Sequence, residues 1–402
     1  VAQRLTLNLG LRYDYQSLLD DYNNLGPRAG FAWDVAGDQK TVLRGGYGLY
    51  YDQPFFHGLT QKFLLNGLHS PFATYSFAPG DPGFPSFPNG YPTDAPPAGL
   101  SLAPRNLALR NSELLSPYTQ QWTLGFQRAL PQGWVLTVDG VRSLSVKQFL
   151  EYNINAPSLF PRTAPGQTRT VTEADRTRPF YDPTLGVSIF QGVPVRDVRV
   201  NTNGNTATYH ALDVSLARRF ADSAQIRLHY VYSSAMDSIT HDHLGANPQE
   251  WSDVQRGERA MSDFSQRNRF VGTGLFFLPW RVQASAYVVL ASGLAVNPLT
   301  GVDNNGDANL VDRPAGFGRN AFRGRPHRNF DFSLMRPVTL SDKAHLELRA
   351  DVFNPFNNQN YYSYNRVYGN GPEPAATFLQ PLAGISNTDP GRQFSFGAKV
   401  VF

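Results

Sequence analysis

Cysteine is absent from the 402-residue chain, so neither a disulfide bond nor a zinc site with cysteine ligands can form. Long hydrophobic runs are absent too: no segment reaches the ~18 consecutive apolar residues that a membrane-spanning helix needs. Mean hydropathy is -0.35, and the formal net charge of +4 is too small to indicate a nucleic-acid partner. These absences exclude a disulfide-stabilised domain and a helical membrane protein.

The sequence does contain a regular alternation of apolar and polar residues. In residues 393–402 the apolar side chains occupy every second position, which places Phe394, Phe396 and Phe402 on one face and ends the chain on an aromatic residue. Residues 4–15 alternate leucine or tyrosine with polar residues in the same way. Because successive side chains of a β-strand point to opposite faces, both segments are predicted to be strands with one apolar face.

About twelve such segments recur along the chain. They span residues 4–15, 28–35, 41–51, 118–128, 134–143, 209–220, 225–233, 269–277, 282–290, 329–335, 344–353 and 393–402. Short turns at 36–40, 130–133, 221–223, 279–281 and 337–342 alternate with long loops at about 52–115, 146–205, 234–267, 293–328 and 354–391. Outer-membrane barrels distinguish periplasmic turns from extracellular loops in this way.

The pattern therefore predicts an all-β fold: an antiparallel transmembrane β-barrel portion of about twelve strands, with short periplasmic turns and long extracellular loops, in the cell outer membrane. Tryptophans near the short turns and tyrosines near the long loops would form the two interfacial girdles. A soluble all-β protein such as a propeller is the alternative, but a propeller would not concentrate its long connections on alternate turns.

Polar side chains occupy the opposite face of the predicted strands, which lines the lumen of a barrel. This set comprises Asn8, Arg12, Asp14, Arg44, Asp139, Arg227, Glu347, Arg349 and Asp351. Glu347 and Asp351 flank Arg349 on one strand, which favours a ladder of lumen charges over a catalytic pair. Because no nucleophile elbow, phosphate-binding loop or metalloprotease motif is present, we predict that the chain is not an enzyme.

Several segments resemble TonB-dependent outer-membrane receptors, and most closely their Oar-like branch. They are LELRADVFNPFNN at 346–358, DNNGDANLVDRP at 303–314, the opening LTLNLGLRYDY, SPYTQQWTLGFQR at 116–128 and the terminal phenylalanine strand. The resemblance implies that the loops bind a ligand, which is imported through a plugged barrel with energy from TonB. Signal peptide, TonB box, plug and about ten strands of such a receptor are not visible, so residues 1–402 are expected to form a single C-terminal β-barrel region of a larger receptor.

The resemblance also implies partners. These are the TonB complex through the missing N-terminal parts, the barrel-assembly machinery, outer-membrane lipid and lipopolysaccharide, and an unknown extracellular ligand. Phe394, Phe396 and Phe402 would form the assembly signal, and the polar wall would face the plug. A surface adhesin or structural barrel, and a passive porin, are the alternative functions.

Three groups of residues are candidates for ion binding. Asp303, Asn305 and Asp307 have the spacing with which a calcium loop begins, but Ala308 replaces the usual glycine and Pro314 the usual glutamate, so an ordinary surface loop is the alternative. His241 and His243, near Asp237 and Asp242, could chelate a metal but lack a third clear ligand. Arginines 313, 319, 323, 325 and 328 could form a solvated basic rim or attract anionic groups. No resident cofactor is predicted.

Overall fold

The computed structural model describes residues 4–17, 19–52, 105–109, 111, 113–220, 223–238, 258–382 and 389–402. Within these ranges the regular secondary structure is almost entirely β-strand, with one α-helix, α1 (Val171–Asp175), and two single-turn 3-10 helices at Pro131–Gly133 and Pro279–Arg281. None of the described helices has the length and apolar character needed to span a bilayer.

The strands follow the chain order. They are β1 Leu5–Gln16, β2 Asp21–Asp34, β3 Thr41–Tyr51, β4 Arg105–Leu109, β5 Tyr118–Ala129, β6 Trp134–Asn153, β7 Tyr181–Asp182, β8 Val187–Phe190, β9 Val193–Phe220, β10 Ala224–Asp237, β11 Ala260–Met261, β12 Asn268–Leu278, β13 Val282–Ala291, β14 Ala295–Val296, β15 Phe322–Arg323, β16 His327–Ser341, β17 Ala344–Phe353 and β18 Gln393–Val401.

Twelve of these strands form one continuous antiparallel path. The order is β1-β2-β3-β5-β6-β9-β10-β12-β13-β16-β17-β18, and every step joins neighbouring strands in antiparallel register. Because direction reverses at each step, the strand ends that flank the five predicted short turns all lie at one end, here called the turn end; residues 221 and 222 of the third turn lie outside the described residues. The predicted strand number and the common end of the turns are confirmed.

Apolar side chains share one face of the sheet, and they are exposed there. Leu9 is 81% exposed and Phe396 is 80% exposed. The register aligns such residues across the strands: Leu124 lies opposite Gly140, and Phe126 lies opposite Val138. A continuous apolar surface of this extent is stable only against lipid or another apolar partner.

Two arginine–tryptophan pairs bound this apolar face. Trp122 lies directly opposite Arg142 near the loop end, with the guanidinium carbon 5.5 Å from the ring centroid. Trp134 lies directly opposite Arg218 near the turn end, at 5.4 Å. Each pair places an amphipathic ring and a cation where an apolar band would meet water.

The connection between β1 and β2 is shorter than predicted. The second strand was predicted at residues 28–35, but β2 begins at Asp21 and only residues 17–20 connect the two strands. The polar residues that suggested a loop are satisfied by Ser116, which precedes β5: Ser116 N donates to Asp21 Oδ2 at 2.7 Å, and Asn24 Nδ2 donates to Ser116 Oγ at 3.2 Å. Strict alternation of short and long connections therefore fails at the first connection.

β6 and β9 extend well into the segment 146–205, which was predicted to be a loop. Their ladder continues to Asn153, opposite Arg199. Register shifts between Ser145 and Gln148, and again between Gln148 and Leu150, interrupt the alternation that sequence analysis relied on. The extension supports β4 and β8, which pair with β9 and contribute to a small apolar cluster around Leu107, Val195 and Val198 at the loop end; β7 pairs with β8.

The sheet is open. Among the described residues, β1 pairs with β2 and β18 pairs with β17, and no ladder joins β1 to β18. One long edge of each terminal strand therefore presents unpaired backbone N–H and C=O groups.

Candidate functional site

The lumen face carries the nine polar residues predicted to line it. The register places each of them on the face opposite the exposed leucines, as with Asn8 opposite Gly30 and Arg227 opposite Ala217. Six of the nine form ion pairs, namely Arg12–Asp14 at 2.8 Å, Arg44–Asp139 at 2.6 Å and Arg349–Asp351 at 2.8 Å. Their predicted contact with a plug stays a prediction.

The Arg44–Asp139 pair spans three strands. Arg44 on β3 lies opposite Gly125 on β5, which in turn lies opposite Asp139 on β6. Arg44 Nη2 donates to Asp139 Oδ2 at 2.6 Å and Nε donates to Oδ1 at 3.1 Å. A Cβ at position 125 would lie 2.0 Å from Asp139 Oδ1, so glycine keeps the path between the two side chains open.

A glycine-floored depression of about 380 Å³ lies on the same face between β1 and β5. Its lining includes Asn8 and glycines 10, 30, 46 and 48, with Arg28 stacked 4.5 Å over the Tyr50 ring. Glycine in a strand permits close approach of another backbone. This part of the wall can therefore accept a closely packed element.

The loop end contains a buried layer of arginine–carboxylate pairs. Arg313 donates to both Glu258 oxygens, at 2.5 and 3.1 Å, and Arg319 pairs with Asp237 and donates from Nε to the Glu258 carbonyl at 2.9 Å. Arg313 is 5% exposed and Arg319 8%. The prediction of a solvated basic rim is wrong for these two arginines, because acidic groups far away in sequence cover them.

The acidic loop 303–309 folds back on its own backbone. Asp303 accepts hydrogen bonds from Gly306 N at 2.6 Å and Ala308 N at 2.8 Å, Asn305 Oδ1 accepts from Asp307 N, and Asp307 Oδ1 accepts from Asn309 N, both at 2.8 Å. Within the described part of the chain, no cluster of three or more His, Cys, Asp or Glu side chains is arranged to hold a metal ion. The calcium site predicted here stays a prediction.

A second loop segment clamps this acidic loop. Arg169 Nε donates to the Asn305 carbonyl at 2.8 Å, and Arg169 N donates to the Asn304 carbonyl at 2.8 Å. Burial lowers the pKa of Arg169 and raises that of Asp307. Thr170 and Glu173 form a capping box that begins α1 immediately beside the clamp. The clamp thus ties the segment between β6 and α1 to the segment between β14 and β15.

The comparisons with known proteins agree with this architecture. The family model described as "Outer membrane beta barrel domain" matches residues 17–316 and 315–394. The chain belongs to this outer-membrane β-barrel family, and its location is the outer membrane. No curated protein matches it in sequence.

Solved structures with the same fold include a transporter and a receptor. The transporter YddB from Escherichia coli is 12% identical with a TM-score of 0.59, over 99% of this chain and 43% of YddB. A variant of the ferric enterobactin receptor PfeA from Pseudomonas aeruginosa is 14% identical with a TM-score of 0.56, over 100% of this chain and 43% of the receptor. The chain thus spans less than half the length of either protein.

In this outer-membrane barrel, the remaining predicted residues have varied surroundings. Phe394, Phe396 and Phe402 are exposed on the apolar face, and their role in assembly stays a prediction. Glu347 lies opposite Lys399 and near His345, within the lumen ladder. His241 and His243 lie outside the described residues, whereas Asp237 is engaged by Arg319.

The buried loop layer of this barrel was not predicted from the sequence. Glu258 and Arg313 are 55 residues apart, and Asp237 and Arg319 are 82 apart. The one local signal is composition: arginines and asparagines are concentrated in segments that carry no strand pattern. That signal indicates a polar loop but does not distinguish a buried network from a solvated surface.

Proposed function

We propose that this chain is the C-terminal wall of a TonB-dependent outer-membrane transporter, whose loops capture a ligand and whose lumen holds a plug. The observation that carries the proposal is the combination of an open twelve-strand path with a charged inner wall, superposed along nearly its whole length on 43% of a transporter. YddB is described as a transporter and PfeA as a ferric enterobactin receptor.

The two open edges support this assignment. In lipid each unpaired backbone group costs several kcal/mol, so both edges need partners in the membrane, which further strands of the transporter would supply. A barrel enlarged in this way has a lumen wide enough for a folded plug. The inward ion pairs would then face the plug across the lumen, and the buried loop layer would hold the ligand-binding loops in position.

Cross-linking tests the edges directly, because the chain has no cysteine of its own. In this experiment Leu9→Cys on β1 and Phe396→Cys on β18 are introduced into the full-length natural protein. Outer-membrane preparations that contain this variant are then treated with a short bismaleimide. We expect no cross-link within the protein, since other strands separate the two edges. The matched control is Ala350→Cys with Phe396→Cys, which are direct partners on β17 and β18 and should cross-link.

A cross-link between positions 9 and 396 would show a closed twelve-strand barrel and would overturn the proposal in favour of a porin or an adhesin.

Transport is tested separately. Uptake of the ligand by cells that express the full-length protein should disappear when TonB is removed, whereas uptake independent of TonB would indicate a passive porin.

A further inference from the structure

The apolar face has a polar row at its loop-end margin. Trp122, Arg142, His210 and Ser234 are directly aligned across β5, β6, β9 and β10. The next aligned row on the same face, two residues nearer the turn end, is Leu124, Gly140, Leu212 and Tyr232. The boundary between a polar and an apolar environment therefore falls between these two rows.

A groove of about 570 Å³ lies along this boundary and is lined by both rows. Gly140 forms its floor. A Cβ at this position would meet nothing closer than the Leu124 carbonyl oxygen at 3.6 Å, so the space above the glycine is open. Leu124, Leu212 and Tyr232 form apolar walls, and each is exposed. The shape and lining suit a hydrocarbon chain.

Three basic side chains stand at the polar margin of the groove. Arg142 stacks on the Trp122 ring, and His210 lies directly opposite Arg142 on the neighbouring strand. Arg259 is held on the same face by hydrogen bonds to Thr206 Oγ1 at 3.0 Å and Thr208 Oγ1 at 2.9 Å. Thr208 precedes His210 by two residues on β9, so the three basic groups flank one surface.

No carboxylate in the described part of the chain pairs with these three groups. Asp139 and Asp213, the acidic residues at this height on β6 and β9, point to the lumen, where they pair with Arg44 and His229. Basic side chains directly opposite each other repel when both are charged, and an anion between them relieves this repulsion. Arg142, His210 and Arg259 can therefore pair with an anion from outside the chain.

We propose that this groove binds a phosphorylated lipid of the outer leaflet, with an acyl chain over Gly140 and a headgroup phosphate held by Arg142, His210 and Arg259. A guanidinium binds phosphate through two parallel hydrogen bonds, and this geometry suits a headgroup at the margin of the apolar band. The site depends on the orientation given above, with the loops outside the cell. It is independent of TonB and of ligand import.

Native mass spectrometry of the full-length protein in a neutral detergent tests the site, with diphosphoryl lipid A and its dephosphorylated form as probes. We expect the protein to retain the phosphorylated form preferentially. Arg142→Gln combined with Arg259→Gln should lower this retention about a hundredfold, because each lost charge-assisted hydrogen bond accounts for about tenfold in affinity. Gly140→Leu should lower retention of both forms by filling the groove.

Arg128→Gln is the matched control, because Arg128 lies on the same face of β5 at the turn end and bonds Thr41 there. It should leave retention unchanged. Equal retention by the double variant and the unaltered protein would overturn the site. Equal retention of phosphatidylglycerol and lipid A would overturn the assignment to the outer leaflet. Because binding is measured without TonB, failure of import would not affect the result.

Discussion

Arg44 and Asp139 form an ion pair across a strand that lies between them, and Gly125 on that strand makes the contact geometrically possible. Such a pair connects β3, β5 and β6 at one level of the lumen wall. A glycine in the middle of a strand is otherwise unfavourable by about 0.5–1 kcal/mol relative to alanine. The ion pair explains why glycine occupies position 125 in the middle of a strand.

Replacing Gly125 by alanine should destabilise the barrel. The new Cβ would lie 2.5 Å from the Val138 carbonyl oxygen, which belongs to the backbone and cannot rotate away. Overpacking of this kind costs about 1–3 kcal/mol. The midpoint of urea unfolding, followed by heat-modifiable electrophoretic mobility, should fall. Gly140→Ala is the control, since its Cβ has 3.6 Å of clearance, and an equal fall for both variants would contradict the explanation.

Asp237→Asn should loosen the buried loop layer. The change removes the nearest of the three carboxylates around Arg319 and leaves those of Asp263 at 3.7 Å and Glu258 at 3.9 Å. Both Arg319 and Asp237 are 8% exposed, and breaking a buried pair costs up to about 3–5 kcal/mol. Hydrogen exchange of the amides in residues 258–265 and 312–320 should accelerate. By contrast, Arg12→Ala removes an exposed pair and should change exchange little, because exposed pairs contribute about 0–1 kcal/mol. If Asp237→Asn left amide hydrogen exchange in these residues unchanged, the Arg319–Asp237 pair would have no stabilising role.

Two substitutions in the acidic loop should have opposite effects. Gly306 has a φ of +72°, and a Cβ there would lie 2.6 Å from the Thr170 carbonyl oxygen, so Gly306→Ala should open the clamp. Ala308 has a φ of +66°, which glycine tolerates better, so Ala308→Gly should stabilise the loop by about 1 kcal/mol. Limited proteolysis between residues 303 and 312 should become faster in the first variant and slower in the second. The same direction of change in both would contradict the strain argument.

The phenol of Tyr362 should ionise at a higher pH than that of an ordinary tyrosine. Its hydroxyl donates to Asp389, and the pKa of Tyr362 is raised to about 12. Because the folded-state pKa is raised, the stabilisation is fully present below the ordinary tyrosine pKa of about 10 and is lost as pH rises through about 12. Difference absorbance between the unaltered protein and Tyr362→Phe should show one phenol ionising near that pH. Asp389→Asn should return this ionisation toward the ordinary value, and ionisation unaffected by Asp389→Asn would rule out the pairing.

The strand framework could be predicted from the sequence because a membrane strand repeats its pattern locally. Leu5 to Tyr15 and Gln393 to Phe402 each carry enough alternate apolar residues to define their faces without any partner. Prediction failed where the pairing of a strand does not follow its local alternation of apolar and polar residues. The bulges after Ser145 shift the phase of β6, and the buried Asp21 and Asn24 give β2 the composition of a loop.

The loop layer could not have been predicted by the same means. Its contacts join residues that are 55 to 137 positions apart, such as Arg313 with Glu258 and Asn304 with Gln167. No period in the sequence encodes such pairs, and composition alone assigns these arginines to solvent. The lumen ion pairs are intermediate: alternation gives the face of each residue, whereas only the register shows which charge meets which.

The two arginine–tryptophan pairs have a consequence for how deeply the protein sits in its bilayer. Trp134 and Arg142 belong to the same strand, eight residues apart, which at ~3.3 Å per residue and ~45° tilt separates the two margins by ~19 Å. Sliding the strand along the membrane normal would draw one arginine toward the acyl chains, at a cost rising to about 2–4 kcal/mol at the midplane. A thicker membrane must therefore thin around these strands, and hydrophobic mismatch would be relieved by the lipid rather than by the protein.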